Sequence, residues 1–199
     1  MKTQLVNSRQ SIAAILFLST LLVATSCKSK TEPGQKDSTV LTSQTTVEVP
    51  QVDIHTAVVT GNLDALKQHI AAGTNINEKD PFGGSSPLIS ASVFGKPEAA
   101  KILIDAGADI NFKNNDGSTA LHTAAFFCRP EIVKMLLDKG ADKTIKNKYG
   151  STAYESVIVP FTDVKSAYDM MGKMLGPMGL TLDYAYIQKT RPEIAAMLK

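Results

Sequence analysis

Two stretches of the chain carry one and the same apolar stripe. Ala99, Ala100, Leu103 and Ile104 follow an i, i+1, i+4, i+5 spacing, and Ile132, Val133, Leu136 and Leu137 repeat it 33 residues later. That spacing sets all four side chains on one helical face, so each stretch predicts a short amphipathic helix. Asp64 to Ile70 predicts a matching helix upstream. Towards the C-terminus, Val164, Ala167, Tyr168, Met171, Met174 and Leu175 share another face, with Asp163 as the expected cap of that helix. Gly176-Pro177-Met178-Gly179 ends it. Leu180 to Ile187 is apolar enough to pack as either helix or extended chain, and Thr190 with Glu193 predicts a capping box for a final helix.

Glycines punctuate these helices at a fixed interval. Gly84, Gly117 and Gly150 are each 33 apart, as are Gly107 and Gly140, whereas Gly61 to Gly95 and Gly73 to Gly107 are 34 apart. One residue is therefore inserted in the loop between the first two units. The best-formed unit, Asn115 to Asn147, has an Asp116-Gly117 turn, the helix start Ser118-Thr119-Ala120-Leu121-His122, and the small-residue helix Thr123-Ala124-Ala125. A second helix, Glu131 to Leu137, follows and stops at Gly140-Ala141-Asp142. This resembles the ankyrin repeat, whose pattern is a turn, a TPLH-like helix start, two antiparallel helices and a GAD loop. The resemblance implies an all-α fold, an ankyrin-repeat α-solenoid of four repeats spanning about 52–80, 81–114, 115–147 and 148–199. A single unit cannot close a core alone, so the stripes are expected to bury against neighbouring units.

Two units depart from the pattern. Gly61 and Gly95 end the first helices of the first two units, but the third has Cys128 in a slot that asks for left-handed backbone. Cysteine there costs about 1 kcal/mol against glycine, and the residue reads as a small, partly buried thiol. In the fourth unit, Arg191-Pro192-Glu193-Ile194 copies Arg129-Pro130-Glu131-Ile132. Gly117 to Arg129 spans 12 residues and Gly150 to Arg191 spans 41, so 29 residues, 161–189, form a helical insertion in the last repeat.

The N-terminal fifty residues have another character. Lys2 and Arg9 precede an uncharged apolar run, Ile12 to Ala24, too short for a membrane span, which ends in Ala24-Thr25-Ser26-Cys27. Small residues before a cysteine resemble a bacterial lipobox, although Ala24 stands where leucine is preferred. The expectation is a lipoprotein signal peptide over 1–26, lipidation of Cys27 and a Ser/Thr-rich tether over 27–50. An ordinary signal peptide cut near Ser26 is the alternative, leaving Cys27 a free thiol. Lys28-Ser29-Lys30 after the cysteine favours, by resemblance to lipoprotein sorting, an outer-membrane anchor facing the periplasm.

Charge and candidate chemistry narrow the function. Residues 51–199 carry sixteen basic and sixteen acidic groups, without the excess that nucleic-acid binding needs. His55 and His122 share a repeat slot where the family's imidazole bonds neighbouring turns, and His69 is expected to face solvent. No phosphate loop, zinc-spaced cluster or GxSxG is present, so no cofactor, metal or catalytic residue is expected. An enzyme with a site built by the insert, from Tyr168, Asp169, Asp183, Tyr184 and Tyr186, is the alternative of another class.

Ankyrin partners dock on hairpin tips and on first-helix ends. Those slots hold Phe82 and Tyr149 at the tips, and Val59-Thr60, Val93-Phe94, Phe126-Phe127 and Val159-Pro160 at the helix ends. Phe82, Val93, Phe94, Phe126, Phe127 and Tyr149 are therefore the candidate residues for binding another protein. In a competing reading the insert folds back over Phe126 and Phe127. A basic rim, Lys139, Lys143, Lys146 and Lys148, lies near the third loop. The resemblance implies a monomeric, non-catalytic adaptor, or an inhibitor or immunity protein that neutralises a secreted lipase or toxin.

Overall fold

The computed structural model describes residues 48–199; the expected signal peptide, Cys27 and most of the tether lie outside them. The helices come in pairs. Those of the first three units are α1 (Ile54–Thr60) with α2 (Leu63–Ala71), α3 (Pro87–Phe94) with α4 (Pro97–Asp105), and α5 (Ala120–Phe126) with α6 (Pro130–Asp138). The fourth unit holds α7 (Ala153–Ile158), α8 (Phe161–Leu175), a 3-10 turn (Gly176–Met178) and α9 (Tyr184–Leu198). No strand occurs among the described residues, and no helix there is long and apolar enough to cross a membrane. The architecture is an all-α solenoid. First helices pack side by side as one row, α1, α3, α5 and α7, and second helices as another, α2, α4, α6 and α9.

Each first helix is opened by a side chain that takes an otherwise unbonded N–H. Asp53 accepts from Thr56, Ser86 from Ile89, Thr119 from His122 and Thr152 from Glu155. α4 and α6 begin instead with Pro97 and Pro130, whose missing N–H costs nothing at a first helical position. The stripes point inward: Ala99, Ala100, Leu103, Ile132, Val133 and Leu136 are all buried. Each large side chain among them contributes about 1.5–3 kcal/mol of burial.

Polar bonds set the register between units. Asn77 accepts the Asp109 N–H at 2.9 Å, and Asn111 accepts the Asp142 N–H at 3.0 Å, one unit along. At the hairpin tips, the Gly83 carbonyl accepts from Asn115 N–H and the Asp116 carbonyl from Lys148 N–H. The extra residue of the 34-residue spacing lies in the tip closed by Asp80 N–H and the Ser85 carbonyl. The shorter tips are closed by Asn114 with Ser118 and by Asn147 with Ser151. Asp80 holds the longer tip with three bonds, from the N–H groups of Phe82, Gly83 and Ser85.

The histidines are structural in two ways. His55 Nε2 donates to the Glu78 carbonyl at 3.1 Å and His122 Nε2 to that of Ser151 at 3.1 Å, as the shared slot implies. His69 does not face solvent. It is buried, donating from Nε2 to the Val52 carbonyl at 2.7 Å, with Thr74 Oγ1 3.1 Å from Nδ1. Its ring ties the incoming chain to α2, a role set by residues 17 positions away.

Two expectations for the fourth unit are corrected. α8 starts at Phe161, directly after the extended Pro160, so Asp163 lies inside the helix rather than capping it. The last helix starts at Tyr184 with Asp183 as its cap, and Thr190 is buried in its interior. No capping box forms there. Pro192 sits within α9, and the carbonyl it leaves without a partner belongs to Gln188, an exposed residue that water can reach.

Burial, then the bonds to Ser151 and Ile145, set the basicity of His122, and burial prevails, holding its pKa below the ordinary value. Its Nδ1 accepts the Thr119 N–H at 3.3 Å, which fixes the neutral tautomer with the proton on Nε2. The unfolded chain therefore takes up this proton first, at about pH 6.5. Stability is full above that pH and falls as the pH drops below it. Urea unfolding at pH 7.5 and 5.5 should show a lower midpoint at 5.5, with a smaller decrease in His122→Gln.

Candidate functional site

The end of each first helix is where the units differ. In the first three units the chain reverses there through a residue with positive φ: Gly61 at +73°, Gly95 at +61° and Cys128 at +54°. Cys128 is the one non-glycine residue with positive φ among the described residues, in the slot that glycine fills elsewhere. It lies beyond the end of α5, the helix that holds His122. Its thiol is fully buried 3.6 Å from the Ile187 carbonyl, and burial pushes its pKa up to about 11 although Arg191 and Arg129 pull it down. It is a packing group, not a thiolate.

Carbonyls are left at the C-terminal end of each first helix, and a cation approaches those of α1 and α3 from the following unit and those of α7 from within the same unit. Lys96, Arg129 and Arg191 occupy that slot in successive units. Lys96 Nζ lies 3.8 Å from where a Gly61 Cβ would stand. Arg129 Nη2 donates to the Val93 carbonyl at 3.2 Å, its guanidinium so close to Gly95 that a Cβ there would meet Cζ at 2.9 Å. Arg191 is buried and donates to the carbonyls of Ser156 at 3.3 Å and Val159 at 2.6 Å, at the end of α7. Sequence reasoning missed this role, although the copied Arg-Pro-Glu was its visible signal.

At the end of α5 a tyrosine of the insert intervenes. Tyr168 is fully buried; its hydroxyl donates to the Phe126 carbonyl and accepts from Arg191 Nη1 at 3.0 Å. Its ring stacks on Phe126 with centroids 4.3 Å apart and planes at 15°. Phe127 meets Phe126 edge-on at 5.2 Å, and Phe161 and Tyr184 complete the cluster. Burial raises the Tyr168 pKa to about 12, so the hydroxyl stays protonated. Around it, Asp169 accepts from Tyr184 at 2.7 Å and from Lys165 at 3.0 Å.

The six candidate docking residues thus divide. Phe127 is buried and Phe126 lies under Tyr168, so the insert covers both. Val93 and Phe94 are half-buried against the core. Phe82 and Tyr149 stand out at hairpin tips, 89% and 76% exposed. Of the basic rim, Lys139 pairs with Asp105 at 3.4 Å and Lys146 approaches Glu155 at 3.9 Å. The groups considered for an enzyme site are used structurally: Asp169 and Tyr184 bond within the insert, Tyr168 ties it to Phe126 and Arg191, and Asp183 caps α9. Among the described residues, no three His, Cys, Asp or Glu side chains converge to hold a metal.

Residues 54–147 match the family model for ankyrin repeats, in three copies. The human DNA-binding protein RFXANK is 41% identical over 58 residues, covering 29% of this chain and 22% of that protein. Human protein phosphatase 1 regulatory subunit 27 is 39% identical over 64 residues, covering 32% of this chain and 41% of that protein. The chain therefore matches less than half the length of either relative. Among solved structures, the ankyrin repeat domain of Bcl-3, described as a unique member of the IkappaB protein family, aligns with a TM-score of 0.50. That alignment has 30% identity and covers 52% of this chain and 45% of that one.

Replacing Tyr168 by phenylalanine keeps the ring stack but removes the oxygen between Arg191 and the Phe126 carbonyl. A buried guanidinium N–H then loses its acceptor, so Tyr168→Phe should lower the unfolding free energy by about 1–3 kcal/mol. Phe161→Leu, with no such bond to lose, should cost less. Chemical denaturation of the two variants checks the order.

Proposed function

We propose that this ankyrin-repeat protein acts without catalysis, by docking another protein on its hairpin tips. The observation that carries the proposal is the contrast between Phe82 and Tyr149, open at the tips, and Phe126 and Phe127, closed over by the chain itself. Large aromatic side chains on a rigid scaffold cost little conformational entropy to bind and supply much area. The tips stack side by side through the Asn115–Gly83 and Lys148–Asp116 backbone bonds, so both rings belong to one continuous edge.

The naming of one relative as a regulatory subunit supports a role exerted on another protein, as adaptor or as inhibitor. An immunity or inhibitor protein against a secreted lipase or toxin is the narrower form of the same proposal. The tether proposal places this module in a bacterial envelope, lipid-anchored at Cys27 to the outer membrane and facing the periplasm, on the strength of the sequence Ala24-Thr25-Ser26-Cys27.

Two substitutions test the docking edge without touching the core. Phe82→Ser and Tyr149→Ser should each leave stability within about 0.5 kcal/mol of wild type, as exposed sites do. The double variant should lose the protein that wild type captures by crosslinking in envelope membranes. Equal capture of that protein by both would place docking elsewhere.

A further inference from the structure

Arg129 does not use all of its guanidinium. Nη2 caps the Val93 carbonyl, but Nε is buried without an acceptor. Neither Arg129 nor Lys96, its counterpart one unit earlier, forms an ion pair among the described residues. A partly buried, unpaired charge is costly, and burial does lower the Arg129 pKa. Two cavities of about 270 and 240 Å³ share Arg129 and Tyr186 in their walls. Each also holds an acid, but neither pairs with the guanidinium: Asp183 is turned onto the Tyr186 N–H at 3.1 Å, and Glu131 is exposed on the first turn of α6.

The next unit shows what such a slot accepts. Arg191 closes the end of α7, and on its other amino group an oxygen from outside the repeat, the Tyr168 hydroxyl, sits between the guanidinium and the Phe126 carbonyl at the end of α5. At the Arg129 slot the insert contributes Tyr186 to both cavities; one opens against Gly95 and Pro97 of the second unit, the other against Thr181, Leu182 and Asp183 of the insert. The walls offer the unpaired Arg129 guanidinium and the Tyr186 side chain, 43% exposed, with Asp183 lining one cavity and Glu131 the other. Because neither carboxylate pairs with it, the guanidinium itself favours an anionic oxygen over a neutral one.

We propose that the Arg129 slot is the anchor point for a carboxylate on an acidic side chain, aspartate or glutamate, of the docking partner. The proposal rests on the docking reading above and adds the chemistry of the partner. The carboxylate enters beside Tyr186, pairs with the guanidinium and leaves the Val93 cap in place. It fixes the partner's register along the stack, while Phe82 and Tyr149 supply the apolar contact.

The chain has three arginines, Arg9, Arg129 and Arg191, so the arginine Nε–H region of a nitrogen-15 NMR spectrum of the full chain resolves the slot directly. Titration with N-acetylglutamic acid amide should move the Arg129 signal along a saturating curve and leave the buried Arg191 signal still. N-acetylglutamine amide should bind at least about tenfold more weakly, and so should the glutamic acid amide with Arg129→Gln, followed on neighbouring backbone amides. A linear drift shared by all three signals would overturn the proposal, as would a response to sodium sulfate as tight as that to the glutamic acid amide. The wild-type titration stands even if Arg129→Gln fails to fold. Should the amide fail while the Phe82 and Tyr149 variants still abolish capture, the anchor alone falls. A saturating titration with no capture by wild type overturns the docking reading and the partner assignment with it.

Discussion

Each of the first three units of this stack is finished by a polar group that its neighbour supplies. Apolar stripes drive the helix pairs together, but they are nearly interchangeable from one unit to the next and would tolerate slippage. The Asn77 and Asn111 amides, His55 and His122, and Arg129 each reach one specific carbonyl or N–H in the adjoining turn or helix end. A slip would strand these groups in a partly buried setting, at about 1–3 kcal/mol apiece. Register is therefore fixed by hydrogen bonds and strength by burial.

The insert uses the same logic at the far end. The fourth unit is finished from within. α7 ends with open carbonyls, and Val159 and Pro160 leave it in extended backbone, without the left-handed turn found upstream. Arg191 takes those carbonyls from within the same unit. The helix end of the third unit, which Arg191 would otherwise reach, is instead satisfied by Tyr168. One tyrosine thus relays the cap across an irregular junction.

What the chain revealed in advance was whatever repeats. The period placed the helix pairs, the stripes placed their buried faces, and the Gly61–Gly95–Cys128 alignment located the left-handed backbone that Cys128 adopts. What stayed hidden depended on one-off, long-range geometry. His69 turned inward because the Val52 carbonyl arrives beside it, which no local pattern records. Thr190 and Glu193 look like a helix start, but Asp183 had already begun the helix and it ran on through Pro192. The insert's apolar face was legible, since Tyr168 heads its buried side and Phe161, Val164, Met171 and Leu175 pack beside it, yet Met174 on that face is 62% exposed.

The cross-bracing of α5, α7 and α9 by Tyr168 and Arg191 makes the solenoid mechanically lopsided. In a stack held by nearest-neighbour contacts, opening spreads inward from the less supported end. Here one end is stitched by an aromatic cluster and a buried guanidinium. The other is closed by seven-residue α1 and by Val52, held to His69 through a single bond. That softer end is also where the N-terminal segment joins. Any pull on the chain from that side would loosen the first unit before it strained the Phe82–Tyr149 edge.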